Sequence, residues 1–418
     1  AHPTATPGGF YLGGQVGYGA LNAATSGGRG TGGGTDVGDM GSHGPDAGLF
    51  AGYGRLFKRW YLGLEVEGDR SRADFYHIND KADSRTFSLE RNNSYGLSAR
   101  LGYALANGAL LYGRLGAART QFRTPYLENN LPADASDQTD TERGIRYGVG
   151  MDIPTDSPLF VRLDYAYTRY NSYPVYYGGA EPEVFTPSEG QFRLGAGWRF
   201  GAQPTPAVTI PAAKVSGLYV GAAVGQGSVA TTATGLLRTQ GTGPDNFNAD
   251  FGNDGVSSTA FVGYGLTFHR VYAGLELAGE GSRTTWTHIR DTSGSGGRTF
   301  SVEKQGGYGA ALRLGYLLHN GTLLYGRIGR IHTKFSTRYD KGANANAYIY
   351  QDDHETGTRL GVGADVPVGQ RLFVRADYSY TRYPSYGFVT TQGGGTNADQ
   401  LSYKNAESLF RVGLGLRF

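Results

Sequence analysis

Residues able to do chemistry occur in this chain in two matching sets, and their spacing limits what they can do. His77 and His288 each stand three residues before an aspartate, Asp80 and Asp291. A histidine near a carboxylate is the start of a general base, but no serine accompanies both copies at one spacing, so the two read as polar rim histidines. Asp245, Asp250 and Asp254 sit in an Asp/Asn/Gly run whose oxygens make a weak calcium candidate, with Asp36, Asp39 and Asp46 a looser set in the first half. Neither follows the twelve-position order of a calcium-binding loop, and a solvated acidic loop is the plainer reading. The glycine triplets at 32–34 and 393–395 lack the lysine and the strand–helix setting of a phosphate loop. The absence of cysteine excludes disulfides, thiolate metal sites and cysteine nucleophiles. Lys+Arg (39) nearly balance Asp+Glu (36), which leaves no electrostatic footprint for nucleic acid. No enzymatic activity, cofactor or firm metal site is expected.

The remaining charges are placed by strands. In Leu159-Phe160-Val161-Arg162-Leu163-Asp164-Tyr165-Ala166-Tyr167-Thr168 the odd positions are apolar or aromatic, while the even ones include an arginine and an aspartate. A period of two belongs to a β-strand. The stretch returns as Leu372-Phe373-Val374-Arg375-Ala376-Asp377-Tyr378-Ser379-Tyr380-Thr381, so the chain is a duplication. Strands in each half are joined alternately by long polar segments and short turns, the rhythm of an antiparallel up-and-down membrane barrel with short periplasmic turns and long outer loops. The long segments, 22–45, 125–139, 228–255, 338–354 and 384–406 among them, read as loops. Asn107-Gly108 and Asn320-Gly321 mark hairpins, with a type I′ turn expected at each. No apolar run of helical membrane-spanning length occurs, a test that a β-barrel escapes.

If the apolar face of each strand meets lipid, Glu65, Glu67, Arg100, Arg114, Arg162, Asp164 and Arg193 point inward. The second half places Glu276, Arg313, Arg327, Arg375, Asp377 and Arg411 at matching positions, with Arg199 and Arg417 near the last strand ends and Ala278 where the first half has Glu67. Inward positions between these charges are largely glycine, which lets long arginines cross a narrow barrel. Buried charge must be paired, so the set is expected to be an ion-pair network that plugs the interior. A conducting, arginine-lined pore is the competing reading.

These residues define an all-β architecture of two tandem eight-stranded barrels: repeat 1 over 1–200, a Pro/Ala-rich periplasmic linker over 201–215, and repeat 2 over 216–418. The alternative is one sixteen-stranded barrel. The linker favours two barrels, because a single ring would need only a short turn there, and so do the inward glycines.

Each repeat resembles the eight-stranded outer-membrane barrels of the OmpA/OmpX and opacity-protein type. Gly9-Phe10-Tyr11-Leu12-Gly13-Gly14-Gln15-Val16-Gly17-Tyr18, Phe160-Val161-Arg162-Leu163-Asp164-Tyr165-Ala166-Tyr167 and the pairs Arg199-Phe200 and Arg417-Phe418 carry the resemblance. It implies that Phe418 is a terminal aromatic read by the barrel-assembly machinery, with Phe200 a former terminus. It also implies a lipid partner, the outer membrane with its lipopolysaccharide, extracellular loops, and periplasmic termini and linker. Ala1-His2-Pro3 has the look of a mature start. The expected function is an integral outer-membrane structural or surface-interaction protein, with variable loops open to a surface partner or self-association; the alternative is a passive sixteen-stranded porin.

Overall fold

The computed structural model describes residues 3–5, 7–29, 34–79, 85–128, 131–176, 182–201, 204–206, 215–238, 244–291, 297–340, 348–390 and 398–418. In chain order its strands are β1 (Pro3–Ala5), β2 (Gly9–Arg29), β3 (Gly34–Phe57), β4 (Trp60–Ser71), β5 (Phe75–Asn79), β6 (Arg85–Ala104), β7 (Leu110–Glu128), β8 (Ala135–Pro154), β9 (Leu159–Tyr170), β10 (Tyr173–Val175), β11 (Glu183–Arg199), β12 (Pro204–Pro206), β13 (Gly217–Arg238), β14 (Pro244–Phe268), β15 (Val271–Ser282), β16 (Thr284–Asp291), β17 (Arg298–Leu317), β18 (Leu323–Asp340), β19 (Tyr348–Pro367), β20 (Leu372–Val389) and β21 (Gln400–Arg417). All pairings are antiparallel. In the first half the ladder runs β2–β3–β4–β6–β7–β8–β9–β11, with β5 and β10 prolonging β4 and β9, and β11 returns to β2 from Val184↔Ser26 to Arg199↔Tyr11. In the second half β21 returns to β13 from Tyr219↔Arg417 to Leu236↔Gln400. Each half is therefore a closed ring of eight strands. Outside them β1 pairs with β12.

The strands are longer than a bilayer needs. A membrane strand takes about 9–11 residues, whereas β3 has 24 and β14 has 25. The segments read as polar loops at 22–45, 125–139, 228–255, 338–354 and 384–406 are largely strand, carrying each barrel far beyond the lipid band; only their tips fall outside the described residues. Strand β7 shows the change of environment along one chain. Its outward series runs Leu111, Gly113, Leu115, Ala117, then Arg119, Gln121, Arg123, while its buried series runs Tyr112, Arg114, then Phe122, Tyr126. Near the termini the barrel is apolar outside and charged inside; at the distal end it is polar outside and apolar inside. The distal cores merge in one cluster that includes Phe75, Phe87, Phe122 and Phe185 of the first barrel and Phe247, Phe251, Trp286 and Phe335 of the second.

The turns nearest the termini follow local geometry. Lys58 and His269 hold positive φ (59° and 54°) at the same hairpin of each repeat. At Asn107-Gly108 only Gly108 has positive φ (85°), Leu105 N–H donates to Ala109 C=O (2.8 Å) and Gly108 N–H to Leu105 C=O (3.0 Å). This is a three-residue loop with the glycine in the left-handed position, not the two-residue type I′ turn, which needs positive φ at both central residues. Asn107 stays in the right-handed half because its Oδ1 accepts from Ala109 N–H (3.2 Å).

The barrels lie side by side around a pseudo-twofold axis. Tyr165 stacks on Phe410 (4.7 Å between ring centroids) and Phe192 on Tyr378 (4.5 Å). Tyr378 is the counterpart of Tyr165 and Phe410 of Phe192, so one contact is made twice with the partners exchanged, as in an isologous dimer. Counterparts also meet each other: Asn107 Nδ2 donates to Asn320 C=O (3.3 Å), the rings of His77 and His288 lie 5.6 Å apart, and Met40 is paired with Phe251. Two short ladders sew the distal extensions together, Phe247–Ala249 on His77–Asn79 and His288–Asp291 on Thr35–Gly38.

Candidate functional site: the barrel interiors and the seam between them

The lower interior of each barrel is filled by charge. In the first, Glu65 accepts from Arg162 (2.8 Å) and Arg100 (3.1 Å), and Glu67 is reached by Arg146 and Arg193 (2.6 Å each) and by Arg114. Asp164 pairs with Arg114 (3.1 Å) and accepts from Tyr112 Oη (2.8 Å). In the second, Glu276 lies 2.7 Å from Arg375, 3.3 Å from Arg313 and 3.5 Å from Arg327. Asp377 pairs with Arg327 (3.2 Å) and with Arg411. Every one of these side chains is buried. Aromatic rings pack the remaining space: the Arg100 guanidinium stands 3.6 Å from the Tyr112 ring centroid, and Arg313 stands 3.7 Å from that of Tyr325.

Several members of the network escaped the sequence reading. Asp152 holds Arg162 (2.8 Å), Arg100 and Arg199 (3.0 Å each), and Asp365 does the same work for Arg375 (2.8 Å), Arg313 (2.9 Å) and Arg417 (3.6 Å). The alternation Arg146-Gly148-Gly150-Asp152 was a usable signal for both Arg146 and Asp152. Strand β4 continues its inward series past Glu65 and Glu67 to Asp69, which pairs with Arg91. Arg91 itself was hidden because the β6–β7 register shifts between Arg91 and Ser94, which reverses the phase counted up from Arg100. The same shift between Lys304 and Gly307 hides Lys304, which lies 2.8 Å from Glu280 and also meets Glu407.

The two interiors solve one problem differently. Where Glu67 gathers Arg114, Arg146 and Arg193, the second barrel has Ala278. Its counterpart of Asp69 is the longer Glu280, which reaches Arg359 (2.7 Å) as well as Lys304 (2.8 Å) and comes within 3.8 Å of Arg411. Glu407 adds a second bond to Arg359 (2.8 Å).

The other sequence candidates are placed as follows. His77 and His288 do not sit on solvent rims; both are buried at the junction of the barrels, with His77 stacked on Phe87 (4.9 Å) and His288 3.4 Å from Asp36. Asp80 lies outside the described residues. Burial, and then the neighbouring His288, hold His77 down at a pKa of about 3. Asp245, Asp250 and Asp254 lie along β14, where residues four apart are separated by about 13 Å. Asp250 accepts from Thr232 Oγ1 (2.8 Å), while Asp254 accepts from Tyr167 Oη (2.6 Å) and Asn22 Nδ2 (2.7 Å). Asp250 and Asp254 do not converge on one point, because a strand spreads what a loop would gather. Phe418 and its counterpart Phe200 are exposed at the end of each closing strand, their N–H groups donating to Leu218 C=O (2.9 Å) and Phe10 C=O (2.8 Å).

The outer membrane protein beta-barrel domain matches this chain twice, over residues 1–200 and again over 202–418. The chain belongs to this family. It is an outer-membrane β-barrel embedded in a lipid bilayer, present as a tandem duplication. Among solved structures it is similar to a Pseudomonas aeruginosa FadL homologue (12% identity over 98% of this chain and 90% of that one, TM-score 0.29). Neisserial surface protein A (18% identity, 46% of this chain and 97% of that one, TM-score 0.26) and Ail, the attachment invasion locus protein of Yersinia pestis (15%, 46% and 99%, TM-score 0.25), are each matched over about half of the chain. No curated protein matches it.

Proposed function

We propose that this protein is a non-enzymatic structural and surface-interaction element of the outer membrane, built as two domains, 1–200 and 216–418, joined by a linker at 201–215. The observation that carries the reading is the double seal: an ion-paired interior at lipid level and an aromatic core above it in each ring. Opening a water path would strip paired charges of their partners at several kcal/mol each. The distal strands then face the exterior, and the termini and linker face the periplasm. Phe200 and Phe418 end their closing strands in the same way, which supports Phe418 as the feature presented to the barrel-assembly machinery. The distal hairpins are the surface offered to a partner. Planar-bilayer recordings of the purified full chain test the reading. No steady conductance is expected at either polarity; a steady step of porin size would overturn the sealed-barrel proposal in favour of a passive pore.

A further inference from the structure

The two ion-paired interiors are unequal in charge. Among the described residues the first network joins seven carboxylates (Asp46, Glu65, Glu67, Asp69, Asp152, Asp164 and Glu189) to seven arginines. The second joins seven cations (Lys304, Arg313, Arg327, Arg359, Arg375, Arg411 and Arg417) to only five carboxylates, Glu276, Glu280, Asp365, Asp377 and Glu407. Every cation keeps its counterpart, with Lys304 standing for Arg91. Two acids do not: Ala278 replaces Glu67, and Ser257 replaces Asp46. Buried charge is stable only where it is paired, so the second interior calls for a further anion.

The place for it is defined to the atom. In the first barrel Glu67 accepts from Arg146 Nη1 and Arg193 Nη1 (2.6 Å each) and from Arg114 Nη2, which also donates to Ser98 Oγ (3.1 Å). In the second, alanines stand for both acceptors of that last nitrogen, Ala278 for Glu67 and Ala311 for Ser98. Among the described residues Arg327, the counterpart of Arg114, bonds through Nη1 alone, to Glu276 and Asp377. Arg411 Nη1, the counterpart of Arg193 Nη1, is buried without a hydrogen-bond partner, 3.8 Å from Glu280, and Ser257 Oγ is likewise unpartnered. Only Arg359 is answered, by Glu280 (2.7 Å). Beside these groups lies a cavity of about 10 Å³, lined by Glu276, Ala278, Ala311, Arg327, Ile331 and Arg359. It has room for one particle the size of a water molecule. Glu276, the acid on its wall, is already engaged by Arg313, Arg327 and Arg375.

We infer that the second barrel binds one chloride ion in its interior, held by Arg327 and Arg411 where the first barrel has the Glu67 carboxylate. A monatomic anion is the class that fits. The space is too small for phosphate or sulfate, and a water molecule would fill it without adding charge. The ligands on offer are guanidinium N–H groups, which form their stronger hydrogen bonds to an ionised acceptor. The ion is enclosed as the ring closes. The site occurs once per chain because the first repeat supplies its own carboxylate there. The inference goes beyond the sealed-barrel reading and does not depend on whether the barrels conduct.

Bromide, which scatters anomalously, is the direct probe. Crystals of the full chain refolded in sodium bromide should show an anomalous peak between Arg327 and Arg411 and none beside Glu67. In solution, Trp60→Phe with Trp198→Phe leaves Trp286 to report the second barrel. Its urea midpoint should rise as chloride replaces gluconate at constant ionic strength, by about 0.7 M for each tenfold increase once chloride exceeds its dissociation constant. The first barrel, read by Trp60 and Trp198 in a Trp286→Phe chain, should not respond. Ala278→Glu, which copies the first barrel, should abolish both the peak and the chloride response. If that variant does not fold, the anomalous map of the parent chain decides alone. Density for water without a bromide peak, or a chloride response equal in the two barrels, would overturn the site. Conductance is not part of the readout, so failure here is separable from failure of the sealed-barrel reading.

Discussion

Replacing Glu67 by alanine should unseal the first barrel, and the second barrel shows how to repair the damage. The Glu67 carboxylate accepts from Arg146 and Arg193 at 2.6 Å each and from Arg114, all buried. Removing it leaves three guanidiniums facing one another in a low-dielectric interior, and breaking a buried pair costs about 3–5 kcal/mol. With a urea slope of about 2 kcal/mol per molar, the unfolding midpoint should fall by roughly 2 M. The second barrel tolerates Ala278 because Glu280 is one methylene longer than Asp69. Asp69 stops 3.6 Å from Arg146 and 3.7 Å from Arg193, whereas Glu280 closes to 2.7 Å on Arg359, the counterpart of Arg146. Glu67→Ala combined with Asp69→Glu should therefore lie within about 1–2 kcal/mol of the parent, a strongly non-additive pair. The titration is best read in a Trp286→Phe background, so that Trp60 and Trp198 report the first barrel alone. A neutral Glu67→Ala, or a double variant no better than the single one, would refute the reasoning.

Two further outcomes follow from the seam. His77 is buried neutral between Phe87, Phe247 and His288, with Asp36 and Arg290 the charges facing it. Its folded pKa, about 3, lies below the ordinary 6.5, so the neutral form's contribution is complete above pH 6.5 and is lost as pH falls toward the folded value. Between about pH 6.5 and 5 the distal junction should lose about 2 kcal/mol, read by the fluorescence of Trp286, and His77→Gln should flatten that dependence; an unchanged profile would count against burial of a neutral imidazole. A protease site placed at 207–214 and cut after folding should leave the halves together on an unheated gel, because stacked rings and two cross-barrel ladders hold them. Separation without heating would show that the linker alone keeps the barrels side by side.

Much of the lipid-level half of this fold was legible. Outward Leu62, Leu64 and Val66 against inward Glu65 and Glu67, and the repetition of Arg162-Asp164 as Arg375-Asp377, identify strands, face and duplication from alternation alone. The distal half was not legible, for a physical reason. Its segments are rich in glycine because the barrels approach each other there: a side chain at Gly41 would meet Asn22 Oδ1 at 2.2 Å and Gly252 Cα at 3.0 Å, and one at Gly38 would meet His288 Nδ1 at 2.5 Å. Composition that reads as loop is here the signature of close backbone contact. The apolar residues of that half point inward, reversing the phase used near the termini, so one rule could not serve the whole strand. The register shifts at Arg91 and Lys304 removed the remaining charges from view. The seam was invisible for another reason: Tyr165, Phe192 and their counterparts are apolar on the lipid side, as most outward residues are, and only the assembled pair shows which of them meet a second barrel.

The central claim, that each repeat closes on itself around its own sealed interior, has a direct test in a chain without native cysteine. Leu12 pairs with Trp198 across the first closing seam, as Val220 pairs with Leu416 across the second. In a single sixteen-stranded ring β2 would instead lie beside β21, bringing Leu12 against Leu416. Cysteines placed as Leu12→Cys with Trp198→Cys, and separately as Leu12→Cys with Leu416→Cys, can be treated in the folded membrane-embedded protein with a short thiol cross-linker. Two closed barrels predict efficient linkage of the first pair and none of the second; the opposite pattern would contradict the account.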